Sequence, residues 1–225
     1  MANRIEISVL IAAYNQEKYI GRCLRSILNQ SLDPLKYEVN LVNDGSTDRT
    51  LFAAELFCDP KESRINIINN NKNLGLPASI NKAIIASKGK YVVRIDSDDW
   101  VSRDFLKLLY TYLENNNYMD AIACDYNLVD KNEKVIQRKN CFEDPIACGI
   151  MFKRNDLIQI GLYDENFHCH EDRDLRIRFE QKFNISRLEL PLYRYRKHEN
   201  NMTNNQKVLD EYNNKLISKY GSDFL

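Results

Sequence analysis

Apolar residues arrive along the first half of this chain in two alternating rhythms. Ile5 to Ala12 (IEISVLIA) is β-branched and nearly continuously apolar, the pattern of a strand buried in a parallel sheet. From Gln16 to Asn29 the apolar positions Tyr19, Ile20, Cys23, Leu24, Ile27 and Leu28 fall on one helical stripe. The alternation then repeats. Strands are predicted at Tyr37 to Val42, Ile65 to Ile68 and Lys90 to Ile95. Between and after them, helices are predicted up to Phe57 behind Ser46-Thr47-Asp48, from Leu76 to Ser87 with Pro77 in the first turn, and from a Ser102 cap to Asn115. Such alternation predicts βαβ units and a mostly parallel sheet.

After Asn117 the rhythm changes. Short strands are predicted at Asp120 to Asp125 and Lys134 to Arg138, with a polar loop from Lys139 to Pro145. Helices follow at Arg154 to Ile160 and Asp172 to Lys182, then an extended stretch from Ile185 to Arg196 broken at Pro191. An amphipathic helix over Asn205 to Tyr220 packs on the body in this reading. Repeats and low-complexity linkers are absent, so residues 1–225 read as one domain. It divides into a first half (1–117), a second half (118–204) and a helical tail (205–225).

Composition narrows the function. Thirty-two Lys and Arg balance 32 Asp and Glu, which argues against nucleic acid as a bulk partner. No apolar run has the length of a membrane span and no signal-peptide core is seen, so a cytoplasmic protein is expected, with peripheral placement at the inner face of the membrane left open. The six cysteines form no CxxC pair and read as reduced thiols. His168-Cys169-His170 lacks a second cluster at zinc spacing, and the sequons at Asn184 and Asn201 carry no meaning without secretion.

Ligands of doubly wound sheets collect at the carboxyl ends of the strands. Here those ends are polar: Ala13-Tyr14-Asn15, Asn43-Asp44-Gly45-Ser46 and Arg94-Ile95-Asp96-Ser97-Asp98-Asp99. Asp96 and Asp98 can project to one side by the period of two, where paired carboxylates suit Mg²⁺ or Mn²⁺; Asp-rich capping before Ser102 explains the tripeptide equally well. Asp44 either accepts the imide N–H of a pyrimidine base or caps the following helix. Neither GxGxxG nor a P-loop follows strand one. Trp100, beside the acidic run, is expected in the core or a lid rather than on a sugar.

Taken in order, Ser8–Asn15, Val42–Asp48, Asn73–Asn81 and Arg94–Asp99 resemble glycosyltransferase family 2. The resemblance implies an α/β fold of the GT-A type, Rossmann-like, with a mostly parallel central sheet and a small mixed acceptor-side annex. It also implies an inverting, metal-dependent transfer from a nucleotide-diphosphate sugar, a UDP-sugar foremost, to a glycan or lipid-linked acceptor in cell-surface polysaccharide synthesis. A homodimer is left open.

Position by position, the resemblance implies nucleotide-sugar contacts from Ala13, Tyr14, Glu17, Asp44, Gly75, Asn81, Asp96 and Ser97. Ile80 stands where many members have Arg, and Arg94 is expected to supply part of that charge. Asp98 and His198 are implied as ligands of Mn²⁺ or Mg²⁺, His198 within the late segment Tyr193–Thr203, whose Arg194, Arg196 and Lys197 either screen the diphosphate or form a solvated basic turn. Gly149–Arg154 resembles the passage that floors the acceptor site, and Glu171-Asp172 the catalytic pair, with Asp172 as base. Favourable charge at a helix N-terminus is the plain alternative for that pair. The QxxRW signature of processive synthases is missing, so single transfer is implied. A sugar nucleotidyltransferase and a non-catalytic nucleotide-sugar-binding partner are the rival readings.

Overall fold

The computed structural model describes residues 4–59, 64–198 and 206–221. Its nine strands form one sheet in the order β3-β2-β1-β4-β8-β6-β9-β5, with β7 paired to the far end of β6. The first four are parallel: β1 (Ile7–Ala13), β2 (Tyr37–Asn43), β3 (Ile65–Asn69) and β4 (Tyr91–Arg94). The rest are mixed: β5 (Trp100–Val101), β6 (Ala121–Val129), β7 (Val135–Lys139), β8 (Ile150–Lys153) and β9 (Ile185–Arg196). The junction lies where β8 runs antiparallel to β4, so the mixed part continues the parallel sheet.

Helices cover both faces. α1 (Ile20–Leu28) and α4 (Phe105–Asn115) bury Cys23, Leu24, Ile27, Leu106 and Leu109 against Val9 and Ile11 of β1. α3 (Leu76–Ala86), α5 (Arg154–Gln159) and α6 (Glu171–Glu180) bury Ile80, Ile84, Leu157, Leu175 and Phe179 against Leu10, Val92 and Phe152. Each such side chain contributes about 1.5–3 kcal/mol by leaving water. With both faces covered, β1 reads as a nearly continuous apolar run, whereas β2 buries Glu38 and Asn40 among its apolar residues, Glu38 accepting from Ser8 and Asn40 bonded to Ser87 and Asn66. α2 (Thr50–Glu55) is short, and α7 (Gln206–Tyr220) closes the chain.

Three local expectations are corrected. α1 starts at Ile20 rather than Gln16: a turn in which the Tyr19 and Ile20 N–H groups bond the Gln16 carbonyl leads into it, and the N–H groups of Gln16 and Glu17 are accepted by Thr50 Oγ1 and Asp48 Oδ2. Ser102 does not cap α4. Its backbone N–H pairs with Leu192 O beside the unanticipated strand β5, its hydroxyl is buried without a partner, and the Leu106 N–H is instead satisfied by Gln30 from the end of α1. Pro191 does not break β9; the ladder absorbs it as a register shift opposite Asp125.

Candidate active site

The carboxyl ends of β1, β2 and β4 open into a cavity of about 990 Å³ that extends to the N-terminus of α6. Ala13, Tyr14, Asp44, Gly75, Arg94, Asp96, Ser97 and Asp98 line it on one side, and Glu171 and Asp172 on the other. Most of the anticipated residues are therefore brought together. Glu17, Asn81 and His198 are not among the wall residues, although His198 reaches the cavity-lining Asp98. The Glu17 carboxylate accepts the Arg49 N–H, which fixes the entry to α2. Asn81 clasps the chain at Tyr163 with two hydrogen bonds (2.9 and 3.0 Å) and donates to Glu165.

Asp44 is buried at the end of β2. Its Oδ1 accepts from Asn70 Nδ2 (2.7 Å) and the Leu74 N–H (2.8 Å), and its Oδ2 from the Gly75 N–H (2.9 Å). It thus organises the loop that leads into α3 and does not cap α2, where Asp48 receives the Thr50 N–H and hydroxyl. Gly45 is required beside it: φ is +69°, and a Cβ would sit 2.5 Å from the Lys72 backbone.

Arg94 is the hub of the acidic wall. Nε and Nη2 donate to the two oxygens of Asp96 at 2.8 and 3.3 Å, while Nη1 donates to Glu171 at 2.8 Å. Burial disfavours its charge, but Asp96 and Glu171 more than compensate and hold its pKa well above the ordinary value. In this arrangement the guanidinium lines the cavity while engaged by two carboxylates.

Asp98 and Asp99 diverge in use. Asp98 Oδ2 lies 2.8 Å from His198 Nε2, and burial followed by the charge of Asp96 raises its pKa, with His198 opposing. Asp99 is fully enclosed: its Oδ2 accepts from the Tyr193 hydroxyl (2.8 Å) and its Oδ1 from the Arg196 N–H (2.7 Å). The same Tyr193 oxygen accepts the Asp96 N–H at 3.1 Å, so β9 holds the acidic turn from beneath. Asp99, Tyr193 and the cavity-lining His168, His170 and Arg173 received no role from the sequence. Asp99 and His170 stood inside recognised segments, but only the fold reveals their partners.

A divalent cation would meet chemistry suited to it here. Asp96 raises the pKa of Asp98, a like-charge repulsion that a cation relieves, and His198 offers a nitrogen donor. Among the described residues no three or more His, Cys, Asp or Glu side chains converge as a complete cage. Such a partial set matches an ion that takes its remaining ligands from substrate phosphates and water.

The rest of the late segment is reassigned. Arg194 turns back onto the Pro191 carbonyl (2.6 Å), and Lys197 is exposed. Arg196 stacks over Trp100 (4.6 Å) and Tyr19 (5.1 Å), with Nε donating to the Asp98 carbonyl. Trp100 is accordingly a buried packing residue, clasped from its other neighbour Arg22 at 5.1 Å. The segment's continuation at Asn201 and Thr203 lies outside the described residues.

Glu171 and Asp172 open α6 just after His170, whose φ of +58° makes the sharp turn into the helix. Burial raises the pKa of both carboxyls, and Arg94 opposes this in each. Glu171 is bound to Arg94, whereas Asp172 lines the main cavity, its carboxylate held by the Asp172 and Arg173 N–H groups of the first helical turn. A deprotonated Asp172 with an elevated pKa is a better proton acceptor than a solvated carboxylate.

This combination of strand-end carboxylates and a facing helix start is that of a GT-A glycosyltransferase. Residues 8–175 match the family model "Glycosyl transferase family 2", and the chain belongs to that family. A Haemophilus influenzae "uncharacterized glycosyltransferase" is 37% identical over 59% of this chain and 40% of its own length. Bacillus subtilis EpsJ is 28% identical over 88% of this chain and 62% of its own. The chain thus spans less than two thirds of each. Among solved structures, Staphylococcus aureus TarS 1–349 in complex with UDP-GlcNAc superposes with TM-score 0.76 at 23% identity, covering 89% of this chain and 61% of TarS. The Pyrobaculum calidifontis mannosyltransferase PcManGT, in complex with GDP-Man and Mn²⁺, superposes with TM-score 0.70 at 19% identity, over 88% and 58%. No helix among the described residues is long and apolar enough to cross a membrane.

Proposed function

We propose that this chain transfers a sugar from a nucleotide-diphosphate donor, of the UDP type, to an acceptor hydroxyl with inversion at the anomeric carbon. The observation that carries this reading is the position of Asp172, facing the Asp96–Asp98 wall within one cavity. The donor lies across the ends of β1, β2 and β4, with Asp44 toward the base. Asp98 and His198 would hold Mn²⁺ or Mg²⁺, which when bound neutralises charge on the departing diphosphate. Asp172 accepts the proton of the acceptor hydroxyl as its oxygen bonds to the anomeric carbon. The bond from that carbon to the diphosphate breaks, and the nucleoside diphosphate leaves with the electron pair. Positioning supplies much of the acceleration, since a carboxylate is a modest base.

TarS and PcManGT, captured with UDP-GlcNAc and GDP-Man, support a nucleotide-sugar donor. A Bacillus spizizenii relative named poly(ribitol-phosphate) beta-glucosyltransferase, 34% identical over half of this chain, supports a role in surface-polymer synthesis. A thermal-shift screen of UDP- and GDP-sugars with and without Mn²⁺, followed by mass spectrometry of transfer products, tests the proposal. Stabilisation by a UDP-sugar with Mn²⁺ and formation of a glycosylated product are expected. Release of pyrophosphate from a nucleoside triphosphate and a sugar phosphate would instead establish nucleotidyl transfer.

A further inference from the structure

His170 ends the turn that leads into α6 and lines the main cavity beside Glu171 and Asp172. Its backbone is left-handed, with φ 58° and ψ 23°, a conformation that a histidine keeps only where the surroundings impose it. The backbone has a use there, since the His170 carbonyl accepts the Asp174 N–H at 3.1 Å. The side chain is not needed for that turn: the imidazole makes no capping bond to α6. Its Nε2 is buried, and among the described residues it has no hydrogen-bond partner. Ser102 Oγ and Asp156 Oδ2 are the other such atoms among the described residues, and neither residue lines the cavity. An unmet polar atom at a cavity wall costs stability unless a bound group satisfies it.

The surroundings define that group. α7 packs against the start of α6, with Arg173 Nη1 donating to Asn213 at 2.8 Å and Lys219 to Asp174 at 2.7 Å. Leu209 of α7 completes the cavity wall, and His170 hydrogen-bonds the Leu209 backbone, which holds the ring between the two helices. Burial, followed by the charge of Arg173, lowers the pKa of His170, with Glu171 and the Leu209 bond opposing. The ring is therefore neutral at neutral pH and offers no charge to an anion. The adjoining Glu171 and Asp172 carboxylates disfavour an anion as well. A hydroxyl can give or take the bond, so it suits either tautomer of the ring. We infer that His170 binds the acceptor: its Nε2 hydrogen-bonds a hydroxyl other than the one presented to Asp172, so the acceptor is a polyol. This rests on the transfer reaction proposed above. It adds a residue that selects which hydroxyl meets the base, because one hydroxyl held at His170 orients its neighbours.

The full chain, ¹⁵N-labelled at its three histidines and loaded with UDP and Mg²⁺, tests this by NMR. Loss of signals in His170→Asn or His170→Gln assigns the ring of residue 170. Glycerol, ribitol and the methyl β-glycosides of glucose, galactose and N-acetylglucosamine are the probes. At least one is expected to move the His170 Nε2 resonance saturably. The Kd of that probe, from saturation-transfer titration, should rise about tenfold in His170→Asn, which tolerates the left-handed turn but lacks an atom at Nε2. His170→Gln, whose amide reaches that place, should restore much of the affinity. A purely structural histidine would show neither the shift nor the rescue. No saturable shift with any probe, or unchanged affinity in folded His170→Asn, overturns the inference. Calorimetric UDP and GDP affinity separates the two claims. Nucleotide binding without a probe shift refutes the acceptor role of His170 alone. A probe shift in a protein that binds neither nucleotide refutes the transfer reading and with it the acceptor assignment.

Discussion

Arg94 donates to Glu171 at 2.8 Å, with the two side chains only 5% and 7% exposed. This pair joins the end of β4 to the start of α6, and so fixes the distance between the Asp96–Asp98 turn and Asp172. Removing one member leaves a buried charge without compensation. Arg94→Met is expected to cost about 3–5 kcal/mol in urea unfolding, and Arg94→Met with Glu171→Met to recover much of it. Equal stability of Arg94→Met and the wild type would mean that the pair does not hold the two halves together.

Burial raises the pKa of Asp172, and Arg94 partly counters the rise. A general base acts when deprotonated, so kcat/KM should increase with pH through an acid limb lying above the ordinary carboxylate value of about 4. Because Glu171 and Asp172 adjoin, the limb belongs to the pair. Replacing Arg94 by Met should move it further up. A pH–rate profile already flat from about pH 4 upward contradicts the role given to Asp172.

Tyr193→Phe removes one hydroxyl and takes the hydrogen-bond partner from two groups, Asp99 Oδ2 and the Asp96 N–H, while Asp99 Oδ1 keeps the Arg196 N–H. The expected loss is about 1–3 kcal/mol of unfolding free energy. A weaker nucleotide response should accompany it, because the turn carrying Asp96 and Asp98 loses its support. Chemical denaturation and calorimetric nucleotide titration on the same variant measure both effects.

Asp125 joins three strands. Burial alone would raise its carboxyl, but hydrogen bonds from Arg187 and Arg138 outweigh this and hold it at about 2. A folded pKa below the unfolded value gives stability that is fully present above about pH 4 and is lost as pH falls through about 2. Arg138 is half exposed, so solvent screening limits the contribution to about 1 kcal/mol. Asp125→Asn should therefore lower stability at neutral pH and flatten its fall in acid, as read by urea midpoints between those limits.

Much of the parallel half of the fold was legible because β1 and β4 are buried, mostly apolar runs and α1 and α4 carry apolar stripes. β5 escaped notice because two residues, Trp100 and Val101, carry no period; pairing with β9 defines them. The anticipated strand-end residues converge largely as expected, since topology alone places them on one edge. Glu17, Asn81 and Arg94 illustrate the limit. What a polar side chain engages depends on partners distant in sequence: the Arg49 N–H for Glu17, the Tyr163 backbone for Asn81, and the Glu171 carboxylate for Arg94, which still lines the cavity. Asp99 shows the converse, an acidic residue beside two cavity carboxylates whose own oxygens are occupied by the Tyr193 hydroxyl and the Arg196 N–H.

The most direct test of the account is the comparison of Asp172→Asn with the wild type, measuring transfer to an accepted hydroxyl and nucleotide affinity in parallel. The substitution preserves shape while removing the proton acceptor. The account predicts a loss in kcat of about a thousandfold or more, with the Kd for the donor nucleotide in the presence of Mn²⁺ changed by less than about threefold. Turnover by Asp172→Asn within about tenfold of the wild type would contradict it.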